Sequence, residues 1–237
     1  GVEVSLLGVA KGSGMIMPNM ATMLCFIVTD ARIEHAVLDR LLKDAVEQSF
    51  NRITVDGDTS TNDMVLVMAN GAADNPPISD RNSDEAACFG KALEQICRDL
   101  ALKIVADGEG ATKLVTIRVT GAVDTSEAVA AARTIANSAL VKTAFFGEDA
   151  NWGRIIAALG RSGCRFDQNR VAISFDQVQL VEKGMFVGAE AEQAATLVLK
   201  QRQFTVHVDL GEGTGAGEVY TCDFSYDYVK INADYRS

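Results

Sequence analysis

Gly12-Ser13-Gly14-Met15-Ile16-Met17-Pro18-Asn19-Met20-Ala21-Thr22-Met23-Leu24-Cys25-Phe26-Ile27-Val28 passes from loop to strand at a single hydroxyl residue. The glycines, proline and small residues before Thr22 read as an open loop. Met23 to Val28 reads as a fully buried strand, because six apolar residues follow one another without a polar break. A hydroxyl residue at the head of a strand, behind a cleavable loop, is where an N-terminal nucleophile is made. Cutting Ala21–Thr22 would free an α-amine beside the Thr22 hydroxyl, so that one residue supplies both base and nucleophile. The plain alternative is a polar residue that ends a loop, and seventeen residues alone do not decide between them.

Composition narrows the function classes. The chain has 237 residues, 48% hydrophobic and 23% charged, enough for one large domain or two small ones. Its net charge of −10 and lack of any Lys/Arg run give no electrostatic footing for nucleic acid. The apolar runs are too short to span a bilayer, so no membrane role is expected. The five cysteines (Cys25, Cys88, Cys97, Cys164 and Cys222) include no CxxC pair, and read as free thiols in a reducing, cytoplasmic compartment. Gly1 leads almost at once into an apolar strand pattern, which reads as a piece of something longer.

Elements alternate along the chain. Apolar residues at helical spacing predict helices over 33–50 and 83–105, then 128–140, 152–160 and 189–200. Asp149 or Asn151 is the expected cap of the helix that starts at Trp152. Strands are expected at 64–69, 114–119, 142–146, 171–175 and 178–181. A closing hairpin is expected to pair Phe204-Val206-Val208-Leu210 with Tyr220-Cys222-Phe224-Tyr226. The predicted fold is an α/β (α+β) layered sandwich, with largely antiparallel sheets flanked by helices.

Most motifs fail on their context. Asp56-Gly57-Asp58-Thr59-Ser60 starts like a calcium loop, but Thr61 stands where an EF-hand needs Gly and Val67 where it needs Glu. Gly211-Glu212-Gly213-Thr214-Gly215-Ala216-Gly217 joins two alternating strands instead of entering a helix, which removes the phosphate-loop reading. The two histidines, His35 and His207, have no zinc-ligand spacing, and no GxSxG elbow is present. No metal or resident cofactor is therefore expected. Nucleophilic catalysis here would use a base other than histidine, and an α-amine with a pKa of roughly 7.7–8.0 suits the task. Lys11 and Glu109, each beside glycines, are either solvated turn charges or opposite charges that read a zwitterionic ligand.

Taken together, five blocks resemble the ornithine acetyltransferase (glutamate N-acetyltransferase) family of arginine biosynthesis, in the family's order. They are Lys11–Ile16 with Pro18–Leu24, Ser49–Asn51 with Val55–Asp63, Asp107–Lys113, Asn151–Ile155 and Tyr226–Ser237. The resemblance implies self-cleavage between Ala21 and Thr22. Residues 1–21 are then the tail of an α chain and 22–237 the whole β chain, with a sub-domain break expected near 121–150. It implies a self-processing N-terminal-nucleophile sandwich of the acyltransferase/aminopeptidase type, with α and β chains interlaced and assembled as an α2β2 heterotetramer. The implied reaction is ping-pong transfer of the acetyl group of N2-acetylornithine to glutamate through acetyl-Thr22, with acetyl-CoA as a further donor in some members. Carried over residue by residue, the substrate contacts fall on Lys11, Thr22, Glu109, Asn232 and Ser237. Lys11 is expected to meet the substrate carboxylate and Glu109 its ammonium. The family's oxyanion Thr-Gly pair lies upstream of this sequence, and neither Thr120-Gly121 nor Thr214-Gly215 inherits its role. The rival readings are an amide-hydrolysing aminopeptidase of related fold and a non-catalytic assembly subunit.

Overall fold

The computed structural model describes residues 1–17, 23–59 and 62–234. The chain divides into two compact units, Gly1–Ile53 with Gly57–Ile104, and Thr54–Asp56 with Val105–Ser237. The stretch 121–150 lies inside the second.

The first unit holds strands β1 (Leu6–Lys11), β2 (Leu24–Thr29) and β3 (Met64–Ala69), with helices α1 (His35–Glu47) and α2 (Asp84–Ala106). The sheet order is β1-β2-β3, with β1 antiparallel and β3 parallel to β2. Gly8 lets β1 lie close on α2, since a Cβ there would come within 2.7 Å of Leu100 and 3.0 Å of Ile96. The structure corrects one expectation about β2, which is buried on one face only. Cys25, Ile27 and Thr29 are buried, whereas Leu24, Phe26 and Val28 are 36–40% exposed. Leu7, Val9, Met64, Leu66 and Met68 are also exposed, so the open face of this sheet is apolar except for Lys11 at its end. A continuous apolar run cannot by itself say whether both faces of a strand are covered.

The second unit holds β4 (Leu114–Ala122), α3 (Thr125–Ala136), α4 (Ala139–Phe146), α5 (Trp152–Gly160), β5 (Ala172–Phe175), β6 (Val178–Glu182), β7 (Met185–Phe186), α6 (Ala189–Leu199), β8 (Gln203–Asp209), β9 (Gly215–Cys222) and α7 (Tyr226–Asp234). Its sheet order is β7-β6-β5-β8-β4-β9; every pairing is antiparallel except β4 with β8. The fold is thus mixed α/β with antiparallel-rich sheets flanked by helices, as expected. Val115, Ile117 and Val119 of β4 pack with Val206 and Val208 of β8 in a core that also takes in Ala128, Ala132 and Ile135 of α3. Asp124 caps α3 by accepting the Glu127 N–H at 2.8 Å, and Asn151 caps α5 by accepting the Arg154 N–H at 3.2 Å.

Three further expectations are overturned. Residues 142–146 are helical, not extended: Val141, Ala144 and Phe145 share the buried side of α4, a spacing that a five-residue segment is too short to distinguish from a strand. The closing hairpin does not exist, because β4 lies between β8 and β9 and Ile117 pairs with Val206 on one side and Val219 on the other. Alternation identifies a strand's faces and says nothing of its neighbours. Tyr226 opens a helix instead of prolonging β9.

Candidate active site

In the first unit, Lys11 is the last residue of β1 and stands in register opposite Leu24, the first residue of β2. Its exposed side chain therefore sits at the end of the sheet where β2 begins. Ala21 and Thr22 themselves lie outside the described residues. The residues that flank the undescribed stretch are well held. Ile16 is fully buried and Met23 is 1% exposed. Met23 is fixed on both backbone groups: its carbonyl accepts the Met64 N–H at 2.8 Å, and its N–H donates to the Asp63 carboxylate. Thr59 donates its hydroxyl to the Met17 carbonyl at 3.4 Å, so the polar loop also touches the last described residue before Pro18.

Beside Met23 opens a cavity of about 480 Å³, within the range of small-molecule sites. Leu42, Val46, Phe50 and Met64 supply apolar walls, while Asn51 and Asp63 bring polar groups to its lining. Asp39 and Lys43 of α1, paired at 2.7 Å, also line it.

In the second unit, Glu109 and Asn232 are brought together. Asn232 donates from Nδ2 to Glu109 Oε2 at 3.1 Å and to the Tyr228 carbonyl at 3.0 Å. Sequence could name both residues only through the family resemblance; their contact arises from the packing of α7 on the turn at 107–110. Ser225 donates its hydroxyl to the Gly110 carbonyl at 2.6 Å and accepts the Tyr228 N–H at 3.3 Å. Gly110 has φ +68°, and a Cβ on it would run into the Tyr228 backbone and Ser225 Oγ. Only glycine permits both the turn and the approach of the helix. Ser237, the other expected contact on the tail, lies outside the described residues.

Sequence reasoning missed the groups that hold this corner. Asp223, 1% exposed, accepts the Thr112 N–H at 2.8 Å, the Thr112 hydroxyl at 2.5 Å and the Lys113 N–H at 2.9 Å. Lys142, also 1% exposed, donates to Thr221 Oγ1 at 2.7 Å and to the Cys222 carbonyl, and lies 4.6 Å over the Phe224 ring. Burial pulls the Lys142 ammonium below its ordinary range, against the opposing pull of Cys222, Asp223 and Asp56. The signal available was a lysine inside the apolar run Leu140–Phe146.

The polar loop at 54–63 splits in function. Thr54 belongs to the second unit, where its hydroxyl donates to Asn137 Oδ1 at 2.7 Å, a structural bond. Asp63 serves the first unit beside Met23. Ser60 and Thr61 lie outside the described residues. Among the described residues, no group of three His, Cys, Asp or Glu side chains could hold a metal ion. His207 instead pairs through Nε2 with the Thr120 hydroxyl at 2.8 Å, and burial lowers its pKa.

The family model described as the ArgJ family matches residues 1–237. A protein of Desulfotalea psychrophila named arginine biosynthesis bifunctional protein ArgJ is 62% identical over 237 residues, covering 100% of this chain and 60% of its own length. The protein of the same name from Geobacter sulfurreducens is 56% identical with the same two shares. The chain thus spans about 60% of the length of these curated relatives. The crystal structure of arginine biosynthesis bifunctional protein argJ from Bacillus halodurans is similar at a TM-score of 0.86 and 46% identity, over 90% of this chain and 100% of that one.

Proposed function

The chain belongs to the ArgJ family, and from that premise we propose that it carries the nucleophile of a self-cleaving glutamate N-acetyltransferase of arginine biosynthesis. One observation carries the reading: the family model spans residues 1–237, and so takes in every block that bears the proposed chemistry. The geometry supports it at two points. Lys11 stands at the mouth of β2 opposite Leu24, and Glu109 and Asn232 form one polar contact at 3.1 Å.

The chemistry begins with the Thr22 hydroxyl attacking the Ala21 carbonyl. The C–N bond breaks as the amide nitrogen takes the proton, and water releases Ala21 from the resulting ester. The free α-amine of Thr22 then draws the proton from Oγ as Oγ adds to the acetyl carbonyl of N2-acetylornithine. The departing amine of ornithine takes that proton, which leaves acetyl-Thr22. Glutamate attacks the ester through its own amine, and Thr22 is regenerated with N-acetylglutamate as product. Lys11 receives the α-carboxylate shared by both amino acids and Glu109 the side-chain ammonium of the donor. Ser237 is the further substrate contact proposed on the tail. The sequence requires no resident cofactor, and acetyl-CoA enters only as an alternative acetyl donor.

The partner is the protein's own upstream α chain, which brings the oxyanion donors and assembles with the β chain as α2β2. The apolar open face of β1, β2 and β3 supports such a partner, since contiguous exposed apolar surface marks an interface. The buried thiols Cys25, Cys97 and Cys222 suit a reducing compartment, the cytoplasm.

Intact-mass analysis of the protein expressed from its full reading frame, with and without N2-acetylornithine, tests the reading. A fragment beginning at Thr22 that gains one acetyl group when glutamate is withheld is the expected result. An uncut chain, or a cut chain that never acquires the acetyl group, overturns it.

A further inference from the structure

We infer that Asp63 is a positioning residue for Thr22, setting the nucleophile through the backbone of the residue that follows it. The inference rests on the reading of Thr22 as nucleophile.

The Thr22 carbonyl carbon is bonded to the Met23 nitrogen, and consecutive Cα atoms lie about 3.8 Å apart across a trans peptide. Whatever holds the Met23 N–H therefore holds the peptide group bonded directly to Thr22. The group that holds it is the Asp63 carboxylate. A carboxylate accepting a backbone N–H makes a charge-assisted bond, stronger than the neutral bonds of the sheet ladder.

Asp63 is itself well braced. It directly precedes β3, and Met64 donates its N–H to the Met23 carbonyl at 2.8 Å. Consecutive residues 63 and 64 thus grip both backbone groups of Met23, one through a side chain and one through the main chain. An ordinary parallel ladder would hold both groups with main-chain atoms of residues two apart on the neighbouring strand; here a side chain supplies one of the two bonds. The side chain of Met23 is buried, so the peptide cannot swing without disturbing the core. The same carboxylate lines the cavity of about 480 Å³ beside Met23, together with Asn51, Leu42 and Phe50. It therefore stands where the nucleophile's strand meets open space for a substrate. Displacing a reacting group by about 1 Å can cost on the order of 100-fold in rate.

The test is to express the full reading frame as wild type, Asp63→Asn and Asp63→Ala, and to follow self-cleavage by time-resolved intact mass. Asparagine keeps a carbonyl oxygen for the Met23 N–H, and alanine does not. Cleavage is expected to slow at least tenfold in Asp63→Ala and to stay within about threefold of wild type in Asp63→Asn. On the cleaved fraction, Asp63→Ala is expected to lower kcat for acetyl transfer with KM held within twofold. Wild-type cleavage and kcat in Asp63→Ala would overturn the inference while leaving Thr22 in its role. Equal failure of the two variants, with unchanged thermal unfolding, would also overturn it, because the acceptor atom would then not be what matters. A wild-type chain that stays uncut in the same assay strikes the reading of Thr22 itself.

Discussion

Asn232 reaches across 123 residues of sequence to place its side-chain amide on the carboxylate of Glu109, at 3.1 Å. The contact orients one carboxylate oxygen and leaves the charge in place for a ligand. A carboxylate held by a neutral amide keeps its attraction for an ammonium group, which a partnering lysine or arginine would have cancelled.

Glu109→Gln keeps the shape and an acceptor for Asn232 while removing that charge. The KM for N2-acetylornithine is expected to rise at least about tenfold, the lower end for a lost charge-assisted contact. Steady-state kinetics on the assembled protein measure it. An unchanged KM would remove Glu109 from the ammonium site.

Gly110→Ala places a methyl group at φ +68° against the backbone of Tyr228. Destabilisation of about 2 kcal/mol or more is expected from the strained backbone, with further loss from the displaced helix α7. Urea unfolding gives the free energy, and acetylornithine kinetics of the folded fraction should show a raised KM as Asn232 leaves Glu109.

Phe26→Lys sets a charge in the middle of the apolar open face, where Phe26 lies in register between Val9 and Leu66. In protein from the full reading frame, size exclusion is expected to show loss of the proposed α2β2 assembly. Leu197→Lys, at a 63% exposed position on α6, serves as the control and should assemble normally. Equal assembly of both variants would place the partner chain elsewhere.

Alkali is expected to weaken the first unit through its buried thiols. Burial pushes Cys25 up to about 11 and Cys97 up to about 12, from an ordinary value of 9.0. Each raised pKa contributes stability that is whole below pH 9 and is lost as pH rises toward 11 and 12, because the unfolded thiol ionises first. At pH 10 the loss is roughly 1 kcal/mol per thiol. Lys142 works in the opposite direction, its lowered pKa favouring the fold as pH rises toward the ordinary lysine value of 10.5. Cys25→Ala therefore isolates the thiol contribution. Its urea-unfolding free energy should fall less steeply between pH 8 and 10 than that of wild type.

Much of the fold was legible because it rests on local patterns. The 3.6-residue spacing of Phe89, Leu93, Leu100 and Ile104 marked α2, and the alternation of Phe204, Val206 and Val208 marked β8. What failed was information that no local window contains. Whether Phe26 is covered depends on a surface far away in sequence. The neighbours of β8 depend on where β4 returns. The helix at 139–146 was hidden by Lys142, whose ammonium finds its oxygen partners on Thr221 and Cys222, 79 and 80 residues on. The site followed the same division. Lys11, Glu109 and Asn232 could be named from motif blocks, but the anchoring roles of Asp223 and Asp63 came only from distances.

The insertion of β4 between β8 and β9 has a consequence for synthesis on the ribosome. A nascent chain that has emerged only to Lys200 carries β4 with neither of its flanking strands, because both are encoded downstream. Loop closure over such separations is slow, so the six-stranded sheet forms late and nearly at once when the last segments arrive. Glu109 gains Asn232 only after that step, since α7 follows β9 directly. The contact between Glu109 and Asn232 therefore forms only after residues 203–234 have emerged, and a chain cut before them lacks it.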